Sequence, residues 1–354
     1  MVTEAEPYLT RLTNRLLDGI ERLPADLRAR NTAYLLEAQN PDGGFSGREG
    51  GSDLYYTGFA LRSLAVLQAL NPDVCGRAAN FLRTRMTGSA GVVDFFSLVV
   101  SCYLVPLGGG PDVLADAPPD WRDRVAGTLE TFRAPDGGYA KTPGAPHGST
   151  YTSFLVTLCL QLLGRPNPEP ERLVRFVKSR RRPDGGYVEI SAMKRSGTNP
   201  TAAGVGLLQI LGELDDEARA GTADFLAALP SPFEGGLRAN DRIPAADLLS
   251  TFTGGWSLDQ LGCANRLDWE RVRGYAEECE RPASPRDLSP AKPGFTAAAS
   301  VPRDLSPAKP GFTAAPGGGF RGGLWDDRTD VEYTFYGLGT LALAAMQPEV
   351  NRSE

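Results

Sequence analysis

The stretch PDGGFSGREGGSDLYYTGFALRSL, residues 41–64, decides the fold. It opens on an Asp-Gly-Gly turn, in which glycine reaches positive φ and permits a sharp reversal while Asp bonds the local backbone. A polar run follows, and then an apolar segment, YYTGFALRSLAVLQAL (55–70), long enough for a helix buried on most sides. The turn recurs as PDGGY (135–139), PDGGY (183–187), EGGL (234–237) and PGGGF (316–320).

An amphipathic helix precedes each turn: TAYLLEAQ, VAGTLETF, LVRFVKSR, TADFLAAL and, less regularly, WERVRGYAEEC. A more apolar helix follows each: 55–70, 151–164, 201–212, 248–262 and 332–345. VVDFFSLVVSCYLVPLGG (92–109) has the apolar pattern without the Asp-Gly-Gly turn before it. Self-similarity at roughly 50 residues marks a repeat architecture. Alternating half-exposed and buried helices predict an all-α (α/α)6 toroid, six inner helices inside six outer ones, with repeats over about residues 25–345. One domain over 1–354 is expected.

Composition narrows the function. The net charge of −6 argues against general binding to nucleic acid or anionic membrane, which needs clustered positive charge. No segment approaches the roughly 20 apolar residues of a membrane span. The opening MVTEAEPYLTRL carries acids early and no long apolar run, so no leader is expected and the chain is placed in the cytoplasm. Cys75, Cys102, Cys159, Cys263 and Cys279 form no C-x-x-C pair and read as buried thiols of a reducing compartment. PRDLSPAKPGFTAA at 285–298 repeats unchanged at 302–315, so the Pro/Ala-rich segment 281–315 reads as a mobile insertion.

The order of amphipathic helix, PDGGF, G-R, S-D-x-x-Y-T and apolar helix resembles the protein prenyltransferase β subunits, most of all the geranylgeranyltransferase type II β-like proteins, and the related squalene and terpene cyclases. The resemblance implies the toroid and an isoprenoid, as a polyprenyl diphosphate, in its central cavity. It also implies a zinc site of Asp and Cys from a D-x-C before the fifth inner helix and His at the start of the sixth. This chain reads Asp247-Leu248-Leu249 at the first position and Asp330-Val331-Glu332-Tyr333-Thr334 at the second. Leu249 and Tyr333 therefore stand where thiolate and imidazole belong, and zinc needs ligands of that kind. The only histidine, His147, belongs to another repeat.

Starts of the inner helices gather at one end of such a barrel, where free N–H groups favour an anion. Aromatic residues near those starts, Tyr56, Phe96, Tyr151, Phe252, Tyr333 and Tyr336, suit a prenyl chain, or else fill the core. Asp247, Asp330 and Glu332 are candidates for catalysis or for magnesium; as helix caps, Asp247 and Asp330 need neither. Asp326, Asp327 and Asp330 spell D-D-x-x-D, but the first two fall in a turn, off the face of Asp330. Arg48, Lys194, Arg195, Arg238, Arg242 and Arg321 lie in the turns, and Arg238 and Arg242 fall where the family meets the diphosphate. The resemblance leaves three activities open: prenyl transfer without the usual zinc, a non-catalytic lipid-binding or interaction scaffold, and a terpene cyclase. A cyclase of this kind uses a D-x-D-D acid that the sequence lacks, leaving Asp94 or Asp247 as non-standard acids. A protein partner or a homo-oligomer stays open as well.

Overall fold

The structure, a computed structural model, describes residues 6–86, 91–281 and 317–348. After α1 (Tyr8–Glu21), two kinds of helix alternate. The outer set is α2 (Ala25–Glu37), α4 (Pro72–Arg85), α6 (Trp121–Glu130), α8 (Pro170–Arg180), α10 (Asp216–Ala227) and α12 (Trp269–Cys279). The inner set is α3 (Leu54–Val66), α5 (Val92–Leu107), α7 (Thr150–Leu163), α9 (Thr198–Ile210), α11 (Leu248–Gln260) and α13 (Val331–Ala345). Each inner helix packs against the next, and α13 packs back on α3, so the ring closes. This is the all-α (α/α)6 toroid. Inner helices such as α13 bury nearly every residue, whereas α8 buries only the stripe Leu173, Phe176, Val177 and Arg180. That contrast is what their sequences require.

The repeated turn is one device used five times. Gly43, Gly137, Gly185, Gly235 and Gly318 all have positive φ. Each also presses on an outer helix: a Cβ on Gly43 would lie 2.1 Å from the Arg77 carbonyl oxygen of α4, and one on Gly185 2.1 Å from that of Gly221 of α10. Gly318 makes the same approach to Arg30 of α2, at 2.6 Å, so the last turn meets the first outer helix. Two residues beyond each of these glycines stands a fully buried side chain: Phe45, Tyr139, Tyr187, Leu237 or Phe320. Its N–H donates to a hydroxyl of the inner helix, Thr57, Ser153, Thr201, Thr251 or Thr334, at 2.8–3.2 Å. The turn is thereby bolted to both rings. Gly185→Ala should cost about 3 kcal/mol, from the backbone conformation and the clash together. Gly50→Ala, at φ 83° with open space around it, should cost only about 1 kcal/mol. Urea unfolding of the two variants checks this; equal losses would remove the clash from the account.

Three features go beyond the sequence reading. The unit without an Asp-Gly-Gly turn has α4 as its outer helix. The first helix, α1, lies outside the repeats and packs on α13, where a Cβ on Gly19 would sit 2.2 Å from the Ala342 carbonyl oxygen. Arg15 of α1 also grips Asp259 of α11 through two bonds of 3.0 and 2.6 Å. At the ring seam, Arg30 holds Glu280 at 2.8 and 2.6 Å, and Asn31 bridges Glu280 to the Gly319 N–H. The duplicated insertion lies outside the described residues, apart from Arg281. Cys75, Cys102, Cys159 and Cys279 are buried, Cys263 is half-buried, and all five thiols are free. Among the described residues no helix is long and apolar enough to cross a membrane.

Candidate ligand cavity

Polar residues at the inner-helix starts act first on the backbone. Asp53, Ser149, Asp247 and Asp330 accept from the N–H groups of Tyr56, Thr152, Ser250 and Tyr333 at 2.7–3.0 Å. These are side-chain N-caps in extended residues, as their types favour. Asp247 also accepts from the Ser250 hydroxyl, at 2.9 Å. Burial pushes the carboxyls of Asp247 and Asp330 above their ordinary range.

Arg48 joins two of the three aspartates of D-D-x-x-D. Its Nε donates to Asp330 at 2.8 Å, and its two terminal nitrogens hold Asp326 at 2.8 and 2.5 Å. Burial raises the Asp326 carboxyl, but Arg48 and the amides of Gly322 and Arg328 outweigh it and leave the group below its usual value. Asp327 points out to solvent. Glu332 accepts from the Tyr55 hydroxyl at 2.6 Å, and burial raises its carboxyl. Asp247, Asp330 and Glu332 thus each have separate protein partners. Among the described residues no group of three His, Cys, Asp or Glu side chains is placed to hold a metal ion.

At the positions of the family's zinc ligands the donor set does not suit that ion. Leu249 has no lone pair to offer and lines the cavity wall. The Tyr333 ring packs on Gly322, with the Arg48 guanidinium 5.5 Å from its centre. Its phenol is pushed up to about 12 by burial and by the charges of Glu332, Asp247 and Asp330, so it stays protonated. His147 is exposed in the loop before α7.

Inside the inner ring lies a cavity of about 390 Å³. Lys141, Glu189 and Tyr151 stand at its rim, near the inner-helix starts. Phe59, Phe335, Tyr336 and Phe252 pack along one wall with centroids 5.3–5.7 Å apart, edge to face except for the tilted pair Phe252–Tyr336. Across from this wall, α9 contributes only Asn199, Ala202 and Ala203, and α5 contributes Val93, Phe96 and Ser97. The small side chains of α9 leave space that aromatic ones would have filled. Tyr8, Leu9 and Leu12 of α1 form the floor with Phe154, Leu158 and Trp256. Tyr8 stands edge-on to Phe154 and accepts the Trp256 indole N–H at 2.8 Å.

Of the aromatic candidates, Phe96, Tyr151, Phe252 and Tyr336 line this cavity; Tyr56 and Tyr333 do not. Tyr56 packs beneath Gly47, and Tyr333 stays in the seam with Arg48. Asp94, Asp247 and Asp330 are not on the wall, and neither are Arg238 and Arg242. Arg238 donates to the carbonyl oxygens of Leu229, Ala228 and Asp241, holding the end of α10, and Arg242 is exposed. Arg195 is paired with Asp241, and Arg321 donates to the carbonyls of Glu278 and Asp326. The cations that do line the cavity are Lys141 and Arg62.

Two parts of the site escaped the sequence reading: the α1 floor and Arg62. The floor had a signal in the helical spacing of Tyr8, Leu9, Leu12, Leu16 and Ile20. Arg62 had one too, as a lone charge inside an apolar run.

A closed double ring of helices around a cavity lined by aromatic rings defines the class: an α/α toroid. The family model of the prenyltransferase alpha-alpha toroid domain matches residues 15–82 and 100–343, and the chain belongs to that family. Candida albicans protein geranylgeranyltransferase-I complexed with GGPP superposes with a TM-score of 0.61 at 13% identity, over 94% of this chain and 91% of that one. A variant of the type II terpene cyclase MstE from Scytonema, in complex with geranylgeranyl dihydroxybenzoate, superposes at 0.55 and 15% identity, over 95% and 99%. Apo MstE gives 0.53 at 16% identity, over 94% and 98%. A search of curated proteins finds no match to the chain.

Proposed function

We propose that this chain binds an isoprenoid, as a polyprenyl diphosphate, in the central cavity and processes the prenyl group without the zinc site of the protein prenyltransferases. The cavity carries the reading: it is apolar, walled by aromatic rings, closed by α1 and open at the rim. Each prenyl CH₂ taken out of water there contributes about 0.8 kcal/mol. Support comes from the two superposed families, one solved with GGPP and the other with a geranylgeranyl benzoate. In this reading Phe96, Tyr151, Phe252 and Tyr336 contact the hydrocarbon, while Asp247 and Asp330 hold the helix starts that shape the rim. The cyclase alternative gains nothing from the wall. Its one carboxylate, Glu189, is engaged by the Ser149 hydroxyl and the Tyr151 N–H.

Titration of farnesyl and geranylgeranyl diphosphate, with and without magnesium, tests the proposal through tryptophan fluorescence, of which Trp256 is the cavity-lining source. Saturable binding is expected, and Ala203→Trp, which fills the open wall, should weaken it more than about tenfold. Failure of both diphosphates to bind overturns the reading. Stoichiometric zinc in the purified protein would overturn its zinc-free part.

A further inference from the structure

Arg62 is the only basic residue in the six inner helices. Its backbone is in the third turn of α3, and its side chain folds back about one turn toward the rim. Its Nε donates to the Gly58 carbonyl oxygen at 3.1 Å. The guanidinium carbon lies 4.2 Å from the ring centre of Phe59, 4.8 Å from that of Phe335 and 5.7 Å from that of Phe96. The aromatic cage holds the cation by its π-faces, but rings do not neutralise it. No carboxylate oxygen comes within ion-pair distance of Arg62 among the described residues. Glu332 acts on it only through space, its own oxygen being committed to the Tyr55 hydroxyl. Burial accordingly pulls the guanidinium below its ordinary value.

The groups beside it point the same way. Tyr151 and Tyr336 are close enough for their charge state to bear on Arg62, and both line the cavity. Neither hydroxyl has a hydrogen-bond partner among the described residues, and burial keeps both protonated, Tyr151 up to about 12. A cation and two free O–H donors therefore face one space whose nearby carboxylates, Glu189 and Glu332, are hydrogen-bonded to other groups and make no ion pair with the cation. An uncompensated interior charge is costly, and a bound anion removes the cost.

We propose that Arg62, with the hydroxyls of Tyr151 and Tyr336, forms an anion-binding site inside the barrel, so that the ligand is an amphiphile whose acidic group, carboxylate or phosphate, is drawn below the rim to α3. The inference deepens the isoprenoid reading and rests on it for the nature of the chain. It moves the charged head from the turn arginines Arg238 and Arg242, which do not line the cavity, to the one cation the inner helices offer. The hydrocarbon then lies against the α1 floor and the Phe252 wall.

The test compares geranylgeranyl diphosphate, geranylgeranoic acid and geranylgeraniol by calorimetry, with dodecanoate and dodecanol as straight-chain counterparts. In the natural chain at least one of the acids should bind ten times or more tighter than its alcohol; which acid does so separates carboxylate from phosphate. Arg62→Met should erase that preference while alcohol binding and the melting temperature hold or rise, because a buried charge is gone. Arg62→Lys, which keeps the charge but not the fork, should retain a part of the preference and serves where the methionine variant folds poorly. A charge preference that survives Arg62→Met, or no preference at all, overturns the proposal. Charge-dependent binding of dodecanoate without any binding of the geranylgeranyl compounds would leave the anion site standing and remove the isoprenoid.

Discussion

Arg48→Met should cost about 3–5 kcal/mol of stability at pH 7, the price of leaving a buried charge without its partner. The Asp326 and Asp330 side chains are each 6% exposed, and Arg48 is the ion-pair partner of both. Asp326 also holds the Gly322 and Arg328 amides, so its displacement would loosen the turn that leads into α13. The pH dependence carries the sign. Asp326 is depressed in the folded chain, so its contribution is present above its unfolded value, about 3.9, and is lost as pH falls through the folded one. Asp330 is raised by burial even beside Arg48, so folding favours its protonated form and its charged form weakens the fold as pH rises. Without Arg48 both carboxyls shift upward, and the variant should regain stability as the pH drops from 7 towards 4.5. The gap between natural chain and variant should therefore be widest at pH 7 and narrow in mild acid. Chemical unfolding at the two pH values checks it. An unchanged gap would mean that Arg48 acts by packing, through its contact with Tyr333.

Pairing of this kind explains which parts of the molecule were legible in the sequence. The fold was, because Asp-Gly-Gly turns and two alternating helix types repeat locally, and each repeat reports the same backbone requirement. Asp247 and Asp330, candidates for catalysis that the sequence also offered as caps, do cap their helices, since an N-cap acts three residues ahead of itself. Phe96, Tyr151, Phe252 and Tyr336 could be placed on inner helices and do face the cavity. Tyr56 and Tyr333 share that position in their repeats and do not line it, because Gly47 and Gly322 leave room for their rings to pack elsewhere. Long cations were least legible. Where an arginine reaches depends on partners far away in the chain: Arg48 finds acids from the last unit, and Arg238 finds the carbonyls ending α10. Arg62 is the converse, a charge whose location on an inner helix left it no such partner.

The other large effect is expected at the floor. Tyr8 is 5% exposed, edge-on to Phe154 and Trp256, with the Arg11 guanidinium 5.5 Å from its ring centre. Tyr8→Ala should cost about 3–5 kcal/mol, as removal of a buried aromatic does. Tyr8→Phe keeps the ring and deprives the Trp256 N–H of its acceptor, at about 1–3 kcal/mol. These two losses, read by thermal unfolding, separate packing from hydrogen bonding. The alanine variant has a second consequence, because the space it opens adjoins the central cavity rather than forming a sealed void. A longer prenyl chain can fill that space and bury the surfaces the ring has left. Stabilisation by a ligand that binds only the folded chain grows with its affinity. The thermal shift should therefore move from geranylgeranyl diphosphate in the natural chain towards the longer geranylfarnesyl diphosphate in Tyr8→Ala. The shift should be absent in Tyr8→Phe, whose floor is intact. A loss of stability with no change in length preference would make α1 a brace for α13 and α11 alone. A change in preference would make a helix outside the repeats the element that sets how long a chain the toroid accepts.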